Sequence, residues 1–165
     1  MGVAGCGKSS LAAALARQEA LPLIEGDDHH SETSRRKMRA GIALDDGDRD
    51  TWLQRLAQAL VSSPGGAVLT CSALKRRYRD RLRDAAPGVR FVFLAIDRRA
   101  ALERVTGRSD HFFSPALVDS QFAALEPPAG EAGVLCLDAT LPIGQLLAEA
   151  SGWLRQPAAP SETAR

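Results

Sequence analysis

The chain alternates between stretches in which apolar residues recur every three to four positions and short runs of consecutive apolar residues. The recurring pattern is typical of helices and is clearest over residues 48–62. Together with an Ala/Leu-rich stretch and two highly charged ones, it predicts helices over residues 9–20, 31–40, 48–62, 75–85, 98–106, 115–125 and 143–155. The short runs predict buried strands over residues 21–25, 67–71, 89–96 and 134–138. Apolar strands that alternate with helices indicate an α/β fold, a parallel sheet flanked by helices on both faces.

Composition and charge narrow the class of protein. No linker-like stretch interrupts residues 1–155, which predicts one domain, and residues 156–165 lack an apolar pattern and are expected to form a disordered tail. The net charge of +1 provides no general basic field, so no nucleic-acid partner is expected. Three cysteines without metal-ligand spacing favour a reduced, cytoplasmic protein. No apolar run approaches membrane-spanning length and no signal peptide precedes the first motif, so no membrane partner is expected.

Residues 2–9 read Gly-Val-Ala-Gly-Cys-Gly-Lys-Ser, the pattern G-x-x-x-x-G-K-S/T of a phosphate-binding loop. Glycines let backbone N–H groups surround a phosphate, and the following helix adds its positive N-terminal end. Lys8 is then expected to reach the β- and γ-phosphates of ATP and to act in catalysis, and Ser9 to ligate Mg²⁺. A chance glycine-rich turn is the alternative, but an Ala/Leu-rich helix follows directly, as the loop requires. The predicted ATP-binding residues are Gly2, Gly5, Cys6, Gly7, Lys8, Ser9 and Ser10.

A phosphate loop of this kind is expected to follow a buried strand, and only Met1 precedes Gly2 in this sequence. Either the first strand is absent, or the recorded start lies downstream of the true one. Without that strand, the sheet is expected to lack a central strand, to be less stable and to leave apolar helix faces uncovered.

Further motifs follow the loop in order: Glu-Gly-Asp-Asp-His-His at 25–30, Gly-Ile-Ala-Leu-Asp-Asp-Gly-Asp-Arg at 41–49, Cys-Ser-Ala-Leu-Lys at 71–75 and Tyr-Arg-Asp at 78–80. In this combination the chain resembles the small thermoresistant type of bacterial gluconokinase, a relative of shikimate kinase. The resemblance covers residues 1 to about 153. It departs from the family pattern at Ser31, where proline is usual, and at Asp45, where asparagine is usual.

The resemblance implies ATP-dependent phosphorylation of the 6-hydroxyl of D-gluconate, with Mg²⁺ as cofactor. It also implies a P-loop nucleoside-kinase-like fold with a lid at about 104–115, and a homodimer. Two alternatives stay open: a kinase of another sugar acid or a shikimate-like acid, and an inactive, truncated nucleotide-binding protein.

Two carboxylates, Glu25 and Asp27, flank Gly26 at the end of a predicted strand. Ligands of open α/β sheets lie outside the carboxyl ends of the strands, where one carboxylate can hold Mg²⁺ and another can accept the proton of a substrate hydroxyl. By resemblance to related kinases, Asp27 is assigned to the hydroxyl and Glu25 to the metal. A solvated turn is the alternative reading.

Basic residues supply the remaining candidates. Arginine binds carboxylates in a bidentate manner, and the family places Arg49 near the substrate; an ion pair with a neighbouring aspartate is the alternative. Lys75 follows a predicted strand and is a candidate for substrate binding. The alternative is a solvated surface lysine. The resemblance assigns Arg104 and Arg108 to the lid as catalytic residues. The full set of predicted substrate-binding residues is Asp27, His30, Arg49, Lys75, Arg79 and His111.

The cysteines are interpreted mainly as structural. Cys6 lies within the phosphate loop, where a helix N-terminus can activate a thiol toward oxidation, but a small loop residue without a redox role is the simpler interpretation. Cys71 and Cys136 are expected to be buried in strands.

Overall fold

The computed structural model describes residues 1–107 and 114–157. Within them, every predicted helix and strand is present, with ends within two residues of those expected. The helices are α1 Lys8–Gln18, α2 Glu32–Arg39, α3 Asp46–Val61, α4 Arg76–Ala85, α5 Arg98–Thr106, α6 Pro115–Ala124 and α7 Ile143–Leu154. The strands are β1 Leu23–Ile24, β2 Val68–Leu69, β3 Phe91–Ala95 and β4 Val134–Asp138, and a 3₁₀ turn spans Gly26–His29.

The described strands form two parallel ladders rather than one continuous sheet. β1 pairs with β2, and β3 pairs with β4 over five residues from Phe91↔Val134 to Ala95↔Asp138. Between the ladders lie Met1 and Gly2: the N–H of Leu94 donates to the carbonyl of Met1 at 3.0 Å, and the N–H of Gly2 donates to the carbonyl of Ser72 at 3.1 Å. These two residues therefore connect the ladders and fix the start of the phosphate loop between them.

Two apolar clusters form the core around these ladders. In one, α1, α5, α6 and α7 pack against β3 and β4 through residues such as Leu11, Leu94 and Val118. In the other, α3 and α4 pack together through Leu53, Leu56 and Leu82. The expected burial of Cys71 is confirmed, whereas that of Cys136 is wrong. Cys136 is exposed because successive side chains of a strand point to opposite faces, and its neighbour Leu137 takes the buried face of β4.

The N-terminus of α3 explains the aspartate that departs from the family pattern. Asp45 is the N-cap, and its carboxylate accepts from the N–H of Asp48 at 2.8 Å while the carboxylate of Asp48 accepts from the N–H of Asp45 at 3.1 Å. This reciprocal capping box satisfies backbone donors that the first turn otherwise leaves free. Asp45 therefore stabilises the start of the helix that carries Arg49 and Trp52.

Among the described residues, no helix is both long and apolar enough to cross a bilayer.

Candidate active site

A cleft of about 460 Å³ opens where the phosphate loop, the 3₁₀ turn, α2, the first turns of α3 and α6 meet. It brings together half of the predicted site residues. The predicted residues that line it are Gly5, Gly7, Lys8, Ser9, Ser10, Asp27, His30 and Arg49. Residues far apart in sequence thus converge on one cavity of the size that holds small-molecule ligands.

The phosphate loop requires its glycines. Gly5 and Gly7 have φ angles of +81° and +95°, which L side chains rarely adopt. A β-carbon on Gly5 would also lie 2.7 Å from the carbonyl oxygen of Ala101 on α5. Gly7 caps α1 without a side-chain bond, so the first N–H groups of α1 remain available to an anion.

Lys8 and Cys6 shape the loop from within. The Nζ of Lys8 donates to the carbonyls of Gly2 and Val3 at 3.1 and 2.9 Å, so the ammonium lies folded over the loop. The side chain of Cys6 is fully buried, and neither it nor Gly2 lines the cleft. Cys6 and Gly2 therefore support the structure of the loop, while Lys8 supplies its positive charge.

Ser9, Glu25 and Thr70 form a chain of hydrogen bonds beside the loop. The hydroxyls of Ser9 and Thr70 donate to Oε2 of Glu25 at 3.1 and 2.7 Å, and the N–H of Gly26 donates to Oγ1 of Thr70 at 2.9 Å. Hydroxyl and carboxylate oxygens are the ligands that Mg²⁺ prefers, so this donor set fits the predicted metal role. Thr70 was missed by the sequence reasoning; its signal was a polar residue near the carboxyl end of an apolar run.

The 3₁₀ turn that carries Asp27 is held in place by contacts with Trp52 of α3. Nε1 of Trp52 donates to the carbonyl of Gly26 at 2.7 Å, and the ring of His30 stacks on Trp52. The side chain of Asp27 is 91% exposed, and its Oδ1 lies 3.8 Å from Nε2 of His30, whose side chain is 5% exposed. Burial lowers the pKa of His30, while the charge of Asp27 acts in the opposite direction. The carboxylate of Asp27 is therefore open to a ligand, beside a neutral imidazole.

Three guanidinium groups border the cleft. Arg35 and Arg39, one helical turn apart on α2, line it together with Arg49. Arg35 donates to the carbonyl of Asp28 at 2.6 Å and Arg49 to the carbonyl of Leu44 at 2.5 Å. Both contacts leave further guanidinium donors free to bind a carboxylate. The spacing of Arg35 and Arg39 placed them on one face of a predicted helix, but their charge alone did not separate them from solvated neighbours.

Comparisons with known proteins agree with this geometry. A family profile described as an AAA domain matches residues 1–128. The thermoresistant gluconokinase of Escherichia coli K12 is 38% identical over 152 residues, which cover 90% of this chain and 87% of that protein. The chain belongs to the gluconokinase family.

Solved structures extend the agreement to the fold. A crystal structure of a gluconokinase from Sinorhizobium meliloti matches with a TM-score of 0.86 and 42% identity, covering 94% of this chain and 89% of that one. An unliganded sugar kinase from Janibacter matches with a TM-score of 0.89 and 36% identity, covering 100% and 96%. The predicted family and the α/β P-loop kinase fold are confirmed.

Some residues that the family resemblance assigned to the substrate do not reach the cleft. Arg79 is 1% exposed, and its guanidinium donates to the carboxylate of Glu131 and to the carbonyls of Ala73, Leu74 and Glu126. All three of its nitrogens are occupied by these bonds, so Arg79 is part of the core and the geometry does not support a role in substrate binding.

Lys75 and Arg104 also lie beyond the cleft lining. Nζ of Lys75 donates to Oδ1 of Asp46 at 3.0 Å, and Asp46 also binds Arg77 and the hydroxyl of Tyr78. These donors hold the pKa of Asp46 well below its usual range. Arg104 donates to the carbonyls of Ala139 at 2.9 Å and Gly5 at 3.5 Å, which ties α5 to the phosphate loop. The other predicted lid residues, Arg108 and His111, lie outside the described residues.

Proposed function

We propose that this chain transfers the γ-phosphoryl group of ATP to the 6-hydroxyl of D-gluconate. The observation that carries the proposal is the convergence in one cleft of a complete phosphate loop, an accessible carboxylate and three guanidinium groups. The family membership supports gluconate as the acceptor, since relatives at 38–40% identity are named gluconokinases.

The phosphate loop binds the nucleotide in this proposal. The N–H groups of the loop and of the first turn of α1 bind the β-phosphate, and Lys8 leaves the carbonyls of Gly2 and Val3 to bind the β- and γ-phosphates. Ser9 and Glu25 would hold Mg²⁺, which neutralises phosphate charge when bound. Thr70 positions Glu25 for this role through its 2.7 Å hydrogen bond.

Asp27 acts on the acceptor. Its carboxylate accepts the proton of the 6-hydroxyl as the hydroxyl oxygen bonds to the γ-phosphorus, and the bond from that phosphorus to the bridging oxygen breaks to release ADP. The exposure of Asp27 to the cleft supports this assignment. His30 lies beside Asp27, with its Nε2 3.8 Å from Oδ1 of the carboxylate.

Arginines on α2 and α3 recognise the acid group of the substrate. Arg35, Arg39 and Arg49 line the cleft and suit a carboxylate, to which a guanidinium binds with two parallel hydrogen bonds. The C1 carboxylate of gluconate is at the far end of the molecule from the 6-hydroxyl. A carboxylate bound by these arginines therefore directs the hydroxyl end of the sugar acid toward Asp27 and the loop.

A comparison of acceptors tests the substrate. Purified protein is incubated with ATP and Mg²⁺ and with D-gluconate, shikimate, other sugar acids or neutral sorbitol, and ADP release is measured. We expect gluconate to give the highest kcat/KM and sorbitol, which lacks the carboxylate, to give little turnover. A higher kcat/KM for another acid would identify that acid as the preferred acceptor in place of gluconate. The assignment as a kinase would stand.

A matched pair of arginine variants tests the recognition of the carboxylate. Arg39→Gln removes a guanidinium that lines the cleft, whereas Arg36→Gln removes one that does not, and both guanidinium groups lie 3.8 Å from the carboxylate of Glu32. We expect Arg39→Gln to raise the KM for gluconate about tenfold or more and Arg36→Gln to leave it unchanged. Equal KM values for the two variants would show that Arg39 does not bind the substrate.

We further propose a cytoplasmic homodimer in which residues 1–155 form one kinase domain. The family resemblance supports this assembly, and light scattering after size-exclusion chromatography measures it directly. A mass equal to that of one 17.6 kDa chain at micromolar concentration would exclude the dimer.

A further inference from the structure

Gln121 on α6 lines the active-site cleft beside the phosphate loop, and the mechanism proposed above makes no use of it. The helix that carries it is well anchored. Ser114 caps α6 by accepting from the N–H of Ala116 at 3.3 Å, and the side chains of Leu117 and Val118 are 4% and 0% exposed. Because residues four apart share one face of a helix, Gln121 lies on the same face as Leu117, which also lines the cleft.

The phosphate loop fixes the orientation of the carboxamide of Gln121. Its Oε1 accepts from the N–H of Ala4 at 2.7 Å, and since an N–H group pairs only with the carbonyl oxygen of a carboxamide, the other end is Nε2. In the described part of the chain, Nε2 donates to no protein acceptor, and the one buried side-chain polar atom without a partner there is Nδ1 of His30. Nε2 is therefore accessible, with both of its hydrogens available to a ligand.

The peptide group between Val3 and Ala4 links Gln121 to Lys8. Its carbonyl accepts from Nζ of Lys8 at 2.9 Å, and its N–H donates to Oε1 of Gln121. No peptide bond in the described residues is cis, so the two side chains bind opposite edges of one planar group. The charge of the lysine polarises this peptide and strengthens its N–H as a donor to Gln121. Lys8 and Gln121 thus bind the same part of the loop, and both supply hydrogen-bond donors to the cleft.

The bond to Gln121 changes which donors this part of the loop offers to a phosphate. Because the N–H of Ala4 donates to Oε1, it is not available to a ligand, and the hydrogens of Nε2 take its place. The β-phosphate is assigned to the other end of the loop, at Gly7 and the first turn of α1. Lys8 binds the γ-phosphate as well as the β-phosphate in P-loop kinases, and its ammonium lies on the peptide group that binds Gln121. The donors of Gln121 therefore suit the γ-phosphoryl group.

From this geometry we propose that Gln121 is a catalytic residue whose Nε2 donates to an oxygen of the γ-phosphoryl group, in bound ATP and during its transfer. The proposal rests on the kinase function proposed above. Negative charge is spread over the three equatorial oxygens of the phosphoryl group as it is transferred. A donor that is oriented beforehand stabilises this charge without reorganising, and the bond from Ala4 orients the carboxamide in this way. A structural tie between α6 and the loop would need only Oε1, so the two roles are separable.

Nucleotide titrations without an acceptor test the proposal. Gln121→Glu keeps an acceptor for the N–H of Ala4 and loses the donors, whereas Gln121→Met loses both. Calorimetry with Mg²⁺ measures the affinity for ADP and for a non-hydrolysable ATP analogue. We expect both variants to bind the ATP analogue about tenfold or more weakly and to bind ADP as the unchanged chain does. Gln145→Met is the matched control, because Gln145 lies on α7 outside the cleft and donates to Glu149, and we expect it to change neither affinity.

Three outcomes would overturn the proposal. Unchanged affinity for the ATP analogue in both variants would show that Gln121 does not contact the nucleotide. A loss in Gln121→Met that is absent in Gln121→Glu would limit the residue to a structural tie between α6 and the loop. Equal losses for ADP and the ATP analogue would place the contact away from the γ-phosphoryl group.

The proposed function fails by different readouts. Absence of binding of the ATP analogue to the unchanged chain would overturn the kinase function and the role of Gln121 together. A preferred acceptor other than gluconate would correct the substrate and leave these titrations as they are, because they contain no acceptor.

Discussion

The imidazole of His30 lies flat against the indole of Trp52, with ring centroids 4.5 Å apart and planes inclined by 11°. Trp52 also donates its Nε1–H to the carbonyl of Gly26, so one side chain of α3 supports both ends of the turn that carries Asp27. Nδ1 of His30 is buried and has no hydrogen-bond partner in the described part of the chain. The stack therefore holds an imidazole in a place where its charged form is poorly solvated.

This burial predicts a pH dependence of stability. Since the pKa of His30 is lowered in the folded state, the unfolded chain binds more protons once the pH falls below about 6.5, and the free energy of unfolding decreases there. His30→Phe keeps an aromatic ring and cannot titrate. We expect urea midpoints between pH 7.5 and 5 to decline less steeply for His30→Phe than for the unchanged chain, and parallel curves would contradict the assignment to His30.

Substitution of Asp27 is expected to impair catalysis and to leave nucleotide binding intact. Asp27→Asn removes the proton acceptor without changing the shape of the turn, and we expect kcat to fall by about 10²–10⁴-fold while ATP–Mg²⁺ still raises the thermal midpoint. Asp28→Asn is the matched control, because Asp28 adjoins Asp27 and does not line the cleft. Near-normal turnover in Asp27→Asn would remove the residue from the role of base.

Substitution of Thr70 is expected to alter the position of Glu25 and thereby the binding of Mg²⁺. Thr70→Val deletes the hydroxyl that binds both Glu25 and the N–H of Gly26, at a cost of about 1–3 kcal/mol for the unpaired groups. We expect the Mg²⁺ concentration for half-maximal activity to rise, and Thr70→Ser to restore it. A variant that loses stability but keeps the same Mg²⁺ dependence would limit Thr70 to a structural role.

For a substitution of Arg79 we predict the opposite result: stability changes and substrate binding does not. Arg79→Met leaves buried carbonyls and the carboxylate of Glu131 short of donors, and we expect it to lower the free energy of unfolding by about 3–5 kcal/mol. Arg77→Met removes a half-exposed ion pair with Asp46 and should change the free energy of unfolding far less, because solvent screens an exposed pair. Urea denaturation measures both, and a raised KM for gluconate in folded Arg79→Met would return Arg79 to the substrate site.

Local sequence patterns were sufficient to predict the helices, the strands and the phosphate loop, because apolar spacing and glycine geometry act over a few residues. They were not sufficient for the basic side chains. Lys75, Arg77 and Arg79 are close in sequence, yet Arg79 turns into the core toward Glu131 while Lys75 and Arg77 bind Asp46. These partners lie 29 to 52 positions away, so only the tertiary fold decides which cations are left free.

The role of Thr70 was hidden for a similar reason. A threonine fits a strand by its β-branched side chain alone, so nothing in the run 67–71 separates it from a packing residue. Its function becomes visible only once β1 and β2 pair, because Glu25 and Gly26 then lie beside its hydroxyl.

Transfer of phosphate from ATP to the 6-hydroxyl of gluconate is tested most directly by ³¹P NMR of the complete reaction mixture. With ATP, Mg²⁺ and D-gluconate, we expect one phosphomonoester signal coupled to the protons of C6, formed in step with ADP. Release of ADP without a phosphomonoester, or a phosphate on another hydroxyl, would contradict it.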